Sequence, residues 1–143
     1  MFGGGYINVW SVLAITVVSF IFSFLWYGPL FGKLWLKLAK VPAIEVAKAK
    51  KKGMGGMGKQ MLLGFIGTFI LTYIFSGFIS LLGIVDTVQG AILGFWIWLG
   101  FFASTTLLNG TLWEGKSWGL FFFNALYWLI NLKMIGFLIV LWN

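Results

Sequence analysis

Four apolar stretches, each long enough to cross a lipid bilayer, constrain this chain more than any other feature of its sequence. Residues 1–32, 60–85 and 87–113 contain no charged side chain, and residues 117–142 contain only Lys133. Because a hydrocarbon core of about 30 Å is crossed by about 20 helical residues, each stretch can form a transmembrane helix. The sequence therefore predicts an all-α polytopic membrane protein, a single four-helix domain with spans at about 7–27, 60–84, 88–109 and 117–142.

The composition favours lipid as the solvent and argues against most catalytic chemistry. Hydrophobic residues make up 61% of the 143 residues and charged residues only 9%, which would leave a soluble domain without a polar surface. The chain has no Cys, no His and three acidic residues. Thiol chemistry is therefore excluded, metal and haem sites lack their usual ligands, and acid–base pairs have few candidates. We predict a non-enzymatic protein with no cofactor and no metal.

The net charge of +7 is concentrated in the first long loop. Eight of the ten lysines lie within residues 28–59. Nucleic acid is one ligand for such a block, but between two spans it is better suited to anionic lipid headgroups. At helical spacing, residues 31–40 place lysines on one face and Leu34, Trp35 and Leu38 on the other, which predicts a short amphipathic helix lying in the interface. The lysines expected at the lipid surface are Lys33, Lys37, Lys40, Lys48, Lys50, Lys51 and Lys52.

The distribution of lysines also predicts the orientation of the chain. The loops at 28–59 and 110–117 lie on the same side of a four-span protein and together carry nine of the ten lysines. Because basic loops are retained in the cytoplasm, we expect both loops there and both termini outside. Within the first loop, the glycine-rich run at 53–58 predicts a flexible hinge, since it lacks the spacing of a phosphate-binding loop.

Small and hydroxyl-bearing residues recur at a spacing of four in the second and third spans. Such a ladder removes bulk from one stripe of a helix, so that a neighbouring backbone can approach closely. We interpret it as a helix-packing surface, and a polar pathway between helices is the alternative. Its members are Gly64, Thr68, Thr72, Ser76, Ser80, Gly90 and Gly94, and Thr16, Ser19 and Ser23 mark a similar face on the first span.

Polar side chains also occur inside the third and fourth spans. Amides in hydrocarbon need hydrogen-bond partners, so these residues are expected to face inward, either joining helices or lining a small-molecule site. The one charged residue within a span, Lys133, lies nearly opposite Asn131 on its helix and costs about 2.5–3.5 kcal/mol if unrelieved. We hypothesise that it pairs with Asp86, another subunit or a lipid phosphate, snorkelling being the alternative. The intramembrane polar set is Lys133, Asn109, Asn124, Tyr127 and Asn131.

Two groups of residues carry a family resemblance. In and before the stretch LWYGPLFGKLWLKL at 25–38 they are Asn8, Trp26, Tyr27, Pro29, Phe31, Gly32, Lys33 and Trp35. In the second half they are Thr105, Thr106, Asn109, Glu114, Gly115, Lys116, Asn124, Tyr127, Gly136 and Trp142. At these positions the chain resembles the bacterial membrane family called domain of unknown function 1761. The resemblance implies a four-helix protein of the bacterial cytoplasmic membrane, and it supplies no reaction, substrate or catalytic residue.

These features favour a scaffold or accessory subunit that acts through helix packing in a homo-oligomer or a larger membrane complex. Its expected partners are membrane lipids at the basic loop and other membrane subunits, without nucleic acid. The alternative is a small four-helix transporter or channel for a small molecule, an anion or a lipid. Proton-coupled carriers generally use a carboxylate or His at membrane depth, and the spans contain neither.

Overall fold

The computed structural model describes residues 7–40, 42–52 and 58–142, except for the side chains at 43, 46, 49, 50 and 52. The description therefore leaves out the side chains of Lys50 and Lys52 and residues 53–57 of the predicted hinge. The described segments contain no strand and confirm the predicted all-α fold. Their helices are α1 (Val9–Leu25), α2 (Gly32–Leu38), α3 (Ala43–Lys52), α4 (Gly58–Leu82), α5 (Thr87–Ile97), α6 (Leu108–Trp113) and α7 (Trp118–Trp142).

Among the described residues, four helical stretches are long and apolar enough to cross a membrane, and the chain is a multi-pass membrane protein. In the first, α1 continues through a π-helical turn at Trp26–Leu30, and in the third, a π-helix at Trp98–Leu107 joins α5 to α6. We refer to the four stretches as the first to fourth spans: Val9–Leu30, Gly58–Leu82, Thr87–Trp113 and Trp118–Trp142.

Local signals in the sequence set the helix ends. Gly83 adopts a left-handed φ of 66° after α4, and the next N–H, of Ile84, donates to Ile79 O at 3.1 Å, which closes the helix C-terminus. Only three residues further on, the Asp86 carboxylate accepts from Val88 N–H at 2.9 Å and caps α5. The second and third spans are therefore joined by a short turn and run antiparallel.

The first span ends in a bend that sets the direction of α2. Gly28 has non-helical backbone angles (φ −115°, ψ −106°) immediately before Pro29, where the proline ring disfavours helix continuation. After the bend, α2 keeps its lysines exposed, whereas Trp35 and Leu38 are half-buried against an aromatic cluster of the protein. The apolar face of α2 was expected to enter the headgroup region; most of it packs on the bundle because the bend at Gly28 turns the helix back.

Two groups of buried side chains hold the spans together. The larger one joins the first, second and fourth spans through Ile15, Phe75, Ile79, Leu132, Ile135 and Ile139. The smaller one, at the end of the bundle next to α2, consists of Trp26, Leu120, Phe123 and Tyr127.

Candidate functional site

A column of hydrogen bonds joins the first span to the fourth. Ser19 Oγ donates to Asn131 Oδ1 at 2.8 Å, and Tyr27 OH donates to Asn124 Oδ1 at 2.7 Å. Between these two bonds, Ser23 Oγ and Tyr127 OH are in direct contact. Because Ser23 Oγ also donates to Ser19 O at 3.1 Å, its proton is already used, and Tyr127 is the donor in the shared bond.

The column forms because two antiparallel helices present polar residues at matching spacing. On α1 and its extension, the polar positions are four residues apart, and on α7 they are three and four apart, so each row follows one helical face. The sequence predicts a face with Ser19 and Ser23 on the first span and the polar residues of the fourth. The structure shows that the two sets pair and that Tyr27, which was not part of the predicted face, extends the column. Asn131 is 1% exposed and Tyr127 is 4% exposed, so the column lies inside the protein.

The small-residue ladder of the second span is divided between the interior and the surface. Thr72 and Ser76 are buried, Thr68 and Ser80 are half-buried, and Gly64 is exposed. Two of the hydroxyls bond back to their own helix, Thr72 Oγ1 to Thr68 O and Thr68 Oγ1 to Gly64 O, each at 2.9 Å. These hydroxyls are therefore satisfied without a neighbouring helix.

Gly90 and Gly94 of the third span lie against the backbone of the fourth. A Cβ on Gly94 would be 2.7 Å from the carbonyl carbon of Leu132 and 2.9 Å from the amide nitrogen of Lys133. A Cβ on Gly90 would meet the backbone carbonyl of Gly136. Both ladder glycines thus serve contacts inside the protomer. Gly136 is the residue of α7 that lies against Gly90, as Leu132 lies against Gly94. Its small size, one helical turn after Leu132, is the sequence signal that could have identified it.

Beside the polar column, a cleft of about 510 Å³ opens between the spans. Its polar end is formed by the hydroxyls of Ser23, Tyr27 and Tyr127, and its exposed edge by Gly64 and Gly67. The remaining wall consists of Phe20, Thr68, Leu71, Phe102 and Trp128. This cleft was not predicted from the sequence, because four spans contribute to it and no single helix carries its pattern. We call it the hydroxyl cleft.

The remaining intramembrane polar residues lie on the outside of the bundle. The side chain of Asn109 is exposed, which departs from the inward face expected for it. The reason is its position four residues before Trp113, at the end of the third span, where headgroups and water can supply hydrogen bonds. The side chain of Lys133 is also exposed, although it lies far from either end of its span.

Lys133 and Asp86, which we hypothesised to pair, do not form an ion pair in the structure. The Asp86 carboxylate caps α5, and Gly94, which lies beside Lys133 in the helix crossing, is eight residues further along. Eight helical residues correspond to about 12 Å along the axis, beyond the reach of an ion pair. The ion pair found in the described segments joins Lys116 and Glu114 at 3.2 Å, and both are exposed.

The basic loop presents exposed lysines. On α2 and at its end they are Lys33, Lys37 and Lys40, and on α3 they include Lys48 and Lys51. The carbonyl of Leu38 at the end of α2 accepts a 3.1 Å hydrogen bond from Ser117 Oγ, which ties this loop to the start of the fourth span. Within the described ranges, no group of three or more His, Cys, Asp or Glu side chains could hold a metal ion.

Comparison with known proteins identifies a family. The model of the family described as "Protein of unknown function (DUF1761)" matches residues 10–140, which is nearly the entire chain. No curated protein and no solved structure matches.

Proposed function

We propose that the chain, which belongs to the DUF1761 family, acts as a non-enzymatic accessory subunit or scaffold that packs its helices against another membrane protein. The observation that carries this proposal is the position of Lys133. A cation that faces lipid in the middle of a span is costly, and a bound subunit with a complementary charge would relieve that cost.

The depth of Lys133 supports a protein partner. It lies 15 residues after the start and nine before the end of α7. At 1.5 Å per residue it is about 22 Å from one end and about 13 Å from the other. Because side chains on a helix lean toward its N-terminus, the ammonium group is directed toward the more distant end. Snorkelling to the nearer headgroups would therefore require the side chain to reverse its natural direction.

Lys133 is also the centre of a continuous exposed stripe. Together with Lys133, the other exposed residues on this side of α7 follow one another at spacings of three and four, which keeps them all within about 100° of the helix circumference. They are Phe122, Leu126, Ile130, Phe137 and Leu141. An apolar stripe with one charge at its centre is suited to a transmembrane helix that carries a carboxylate at the same depth.

A second copy of this chain cannot supply that carboxylate from within its spans. The three acids of the sequence are Glu45, Asp86 and Glu114, and all lie outside the four spans. We therefore favour a different membrane protein over a homo-oligomer as the partner of this stripe. The polar column is compatible with the same role, since its side chains bond to one another across the first and fourth spans and stabilise the bundle.

The proposal is tested by substitution of Lys133 followed by purification in mild detergent and mass determination. Wild-type protein should carry a foreign membrane protein, Lys133→Arg should retain it, and Lys133→Leu should lose most of it. Lys48→Leu, which removes an exposed lysine outside the spans, is the matched control and should behave as wild type.

The decisive arm of this experiment is a charge exchange. If Lys133→Glu loses the partner and a Lys in place of the partner's intramembrane carboxylate restores it, the pairing is established. A partner retained by Lys133→Leu would contradict the proposal, and so would a purified protein that carries only lipid and releases a phospholipid on the same substitution.

We further infer that both basic loops face the cytoplasm of a bacterial cell, where their lysines bind anionic headgroups, and that both termini lie outside. The asymmetry of lysines between the two sides supports this orientation. Because the chain has no Cys, single-cysteine variants report topology directly. A membrane-impermeant maleimide should label Val85→Cys in intact cells and should label Glu114→Cys only after lysis. The reverse pattern would overturn the orientation.

A further inference from the structure

We propose that the hydroxyl cleft binds a neutral amphiphile, a molecule with a hydroxyl head and a single apolar chain, that enters from the surrounding lipid. The volume of the cleft, about 510 Å³, lies in the range of roughly 300–1,000 Å³ typical of small-molecule sites. Gly64 and Gly67 form its exposed edge, so their missing side chains leave the entrance open toward lipid.

The hydrogen bonds of the cleft decide which head it accepts. Every hydroxyl proton of its wall is already used inside the protein. Tyr27 donates to Asn124 Oδ1, Ser23 donates to Ser19 O, and Thr68 donates to Gly64 O. Tyr127 donates to Ser23 Oγ, since the proton of that serine is engaged elsewhere. The wall hydroxyls therefore offer only oxygen lone pairs to a ligand.

A ligand head must consequently donate a hydrogen bond. Among the wall side chains, the one further polar hydrogen is on the indole of Trp128. A hydroxyl can donate to the tyrosine oxygens and accept from an indole N–H, so it satisfies both kinds of group. A ketone or an ether, which only accepts, leaves the lone pairs of the wall unused.

Because the wall of the cleft carries no charge, it favours a hydroxyl head over an ammonium head. No wall residue is acidic or basic. A cation would have to leave water without a counter-ion at membrane depth, which is costly even beside aromatic faces. A neutral hydroxyl gives up far less hydration, and it therefore suits this site better.

The apolar end of the cleft provides a place for the chain of the ligand. Leu71 lines the hydroxyl cleft and also a second pocket of about 190 Å³ between the second and third spans. The lining of that pocket is entirely apolar: Leu71, Ile74, Phe75, Phe78, Ile97 and Phe101. Polarity thus falls from the tyrosines toward the apolar pocket, as it does along an amphiphile.

The test measures equilibrium binding of radiolabelled 1-hexadecanol to the full-length protein in nanodiscs. Hexadecyl methyl ether and hexadecyltrimethylammonium serve as competitors that share the chain but change the head. We expect the alcohol to compete at least ten-fold better than either. Equal competition by the ether would show that the cleft is only a groove for acyl chains, and stronger competition by the ammonium compound would show a cation site; each result overturns the proposal.

Two variants assign the binding to this cleft. Gly67→Leu places a side chain at the entrance, where a Cβ meets nothing within 4 Å, and should reduce binding at least ten-fold. Gly100→Leu adds the same bulk at another unobstructed glycine outside the cleft and should bind as wild type. Tyr127→Phe removes one oxygen acceptor while keeping the ring. It should weaken the binding of the alcohol but leave the binding of the ether unchanged. Unchanged binding by both Gly67→Leu and Tyr127→Phe would refute the site.

Discussion

The glycine crossing between the third and fourth spans provides the most direct test of the fold. We expect Gly94→Ala to destabilise the protein, because its methyl group would enter the backbone of α7. The added Cβ would be 2.7 Å from Leu132 C and 2.9 Å from Lys133 N. Carbon atoms in contact prefer about 3.5–4.0 Å, so relief of the 2.7 Å contact with Leu132 C requires the helices to separate by about 0.8–1.3 Å.

The size of the destabilisation by Gly94→Ala depends on which of the clashing atoms can move away. A clash with a flexible side chain is relieved by a new rotamer, but these atoms belong to the main chain of a helix. Overpacking of this kind costs about 1–3 kcal/mol. Replacement of glycine by alanine inside a helix returns at most about 1 kcal/mol through higher helix propensity. We therefore expect Gly94→Ala to lower the free energy of unfolding by about 1–2 kcal/mol.

Gly100→Ala is the matched control in the same span. A Cβ at Gly100 has nothing within 4 Å, so this variant should be at least as stable as wild type. The assay is reversible unfolding in mixed micelles with increasing sodium dodecyl sulfate, followed by tryptophan fluorescence. If Gly94→Ala and Gly100→Ala unfold at the same detergent fraction, the close approach of the two helices is refuted.

Two further predictions concern hydrogen bonds between segments, and both use the same unfolding assay. Asn131→Leu should lower the free energy of unfolding by about 0.5–2 kcal/mol, because it removes the buried acceptor of Ser19. Asn109→Leu, at an exposed position, should change it by less than about 0.5 kcal/mol. Equal effects of the two substitutions would contradict the buried column. Ser117→Ala should lower the free energy of unfolding by about 1–2 kcal/mol, since the Ser117 hydroxyl both caps α7 and donates to Leu38 O. A variant as stable as wild type would show that neither hydrogen bond contributes to stability.

The fold class could be predicted because hydrocarbon imposes a strict rule on the backbone. Every peptide group within a span must be hydrogen-bonded, so a long uncharged run has few alternatives to a helix. At the Asp86 turn the structure adds local chemistry that the sequence analysis did not use, a left-handed glycine followed by a capping carboxylate. The π-helix at Trp98–Leu107 was not predicted, since its extra residue per turn leaves no mark in the pattern of hydrophobic residues.

The candidate site was predictable only as a set of separate rows. Periodicity shows that Ser19 and Ser23 share one face, and that Tyr127 and Asn131 share another, but it carries no information about which rows meet. That information arises from the register between helices, which depends on glycines such as Gly94 and on packing across the whole bundle. Exposure is also a tertiary property. Asn109 and Asn131 are both amides within spans, yet one is exposed and the other is buried.

The lysine stripe and the hydroxyl cleft lie on different sides of α7, so the two proposals can be tested independently. Lys133 follows Trp128 by five residues and Tyr127 by six, which places it about 120–140° around α7 from the wall of the hydroxyl cleft. A partner on the lysine stripe would therefore leave the cleft open, and a bound amphiphile would not cover the stripe. Lys133→Leu should lose the partner and still bind 1-hexadecanol, whereas Gly67→Leu should show the opposite behaviour. Loss of both properties in either variant would indicate general misfolding, so each experiment supplies the control that the other needs.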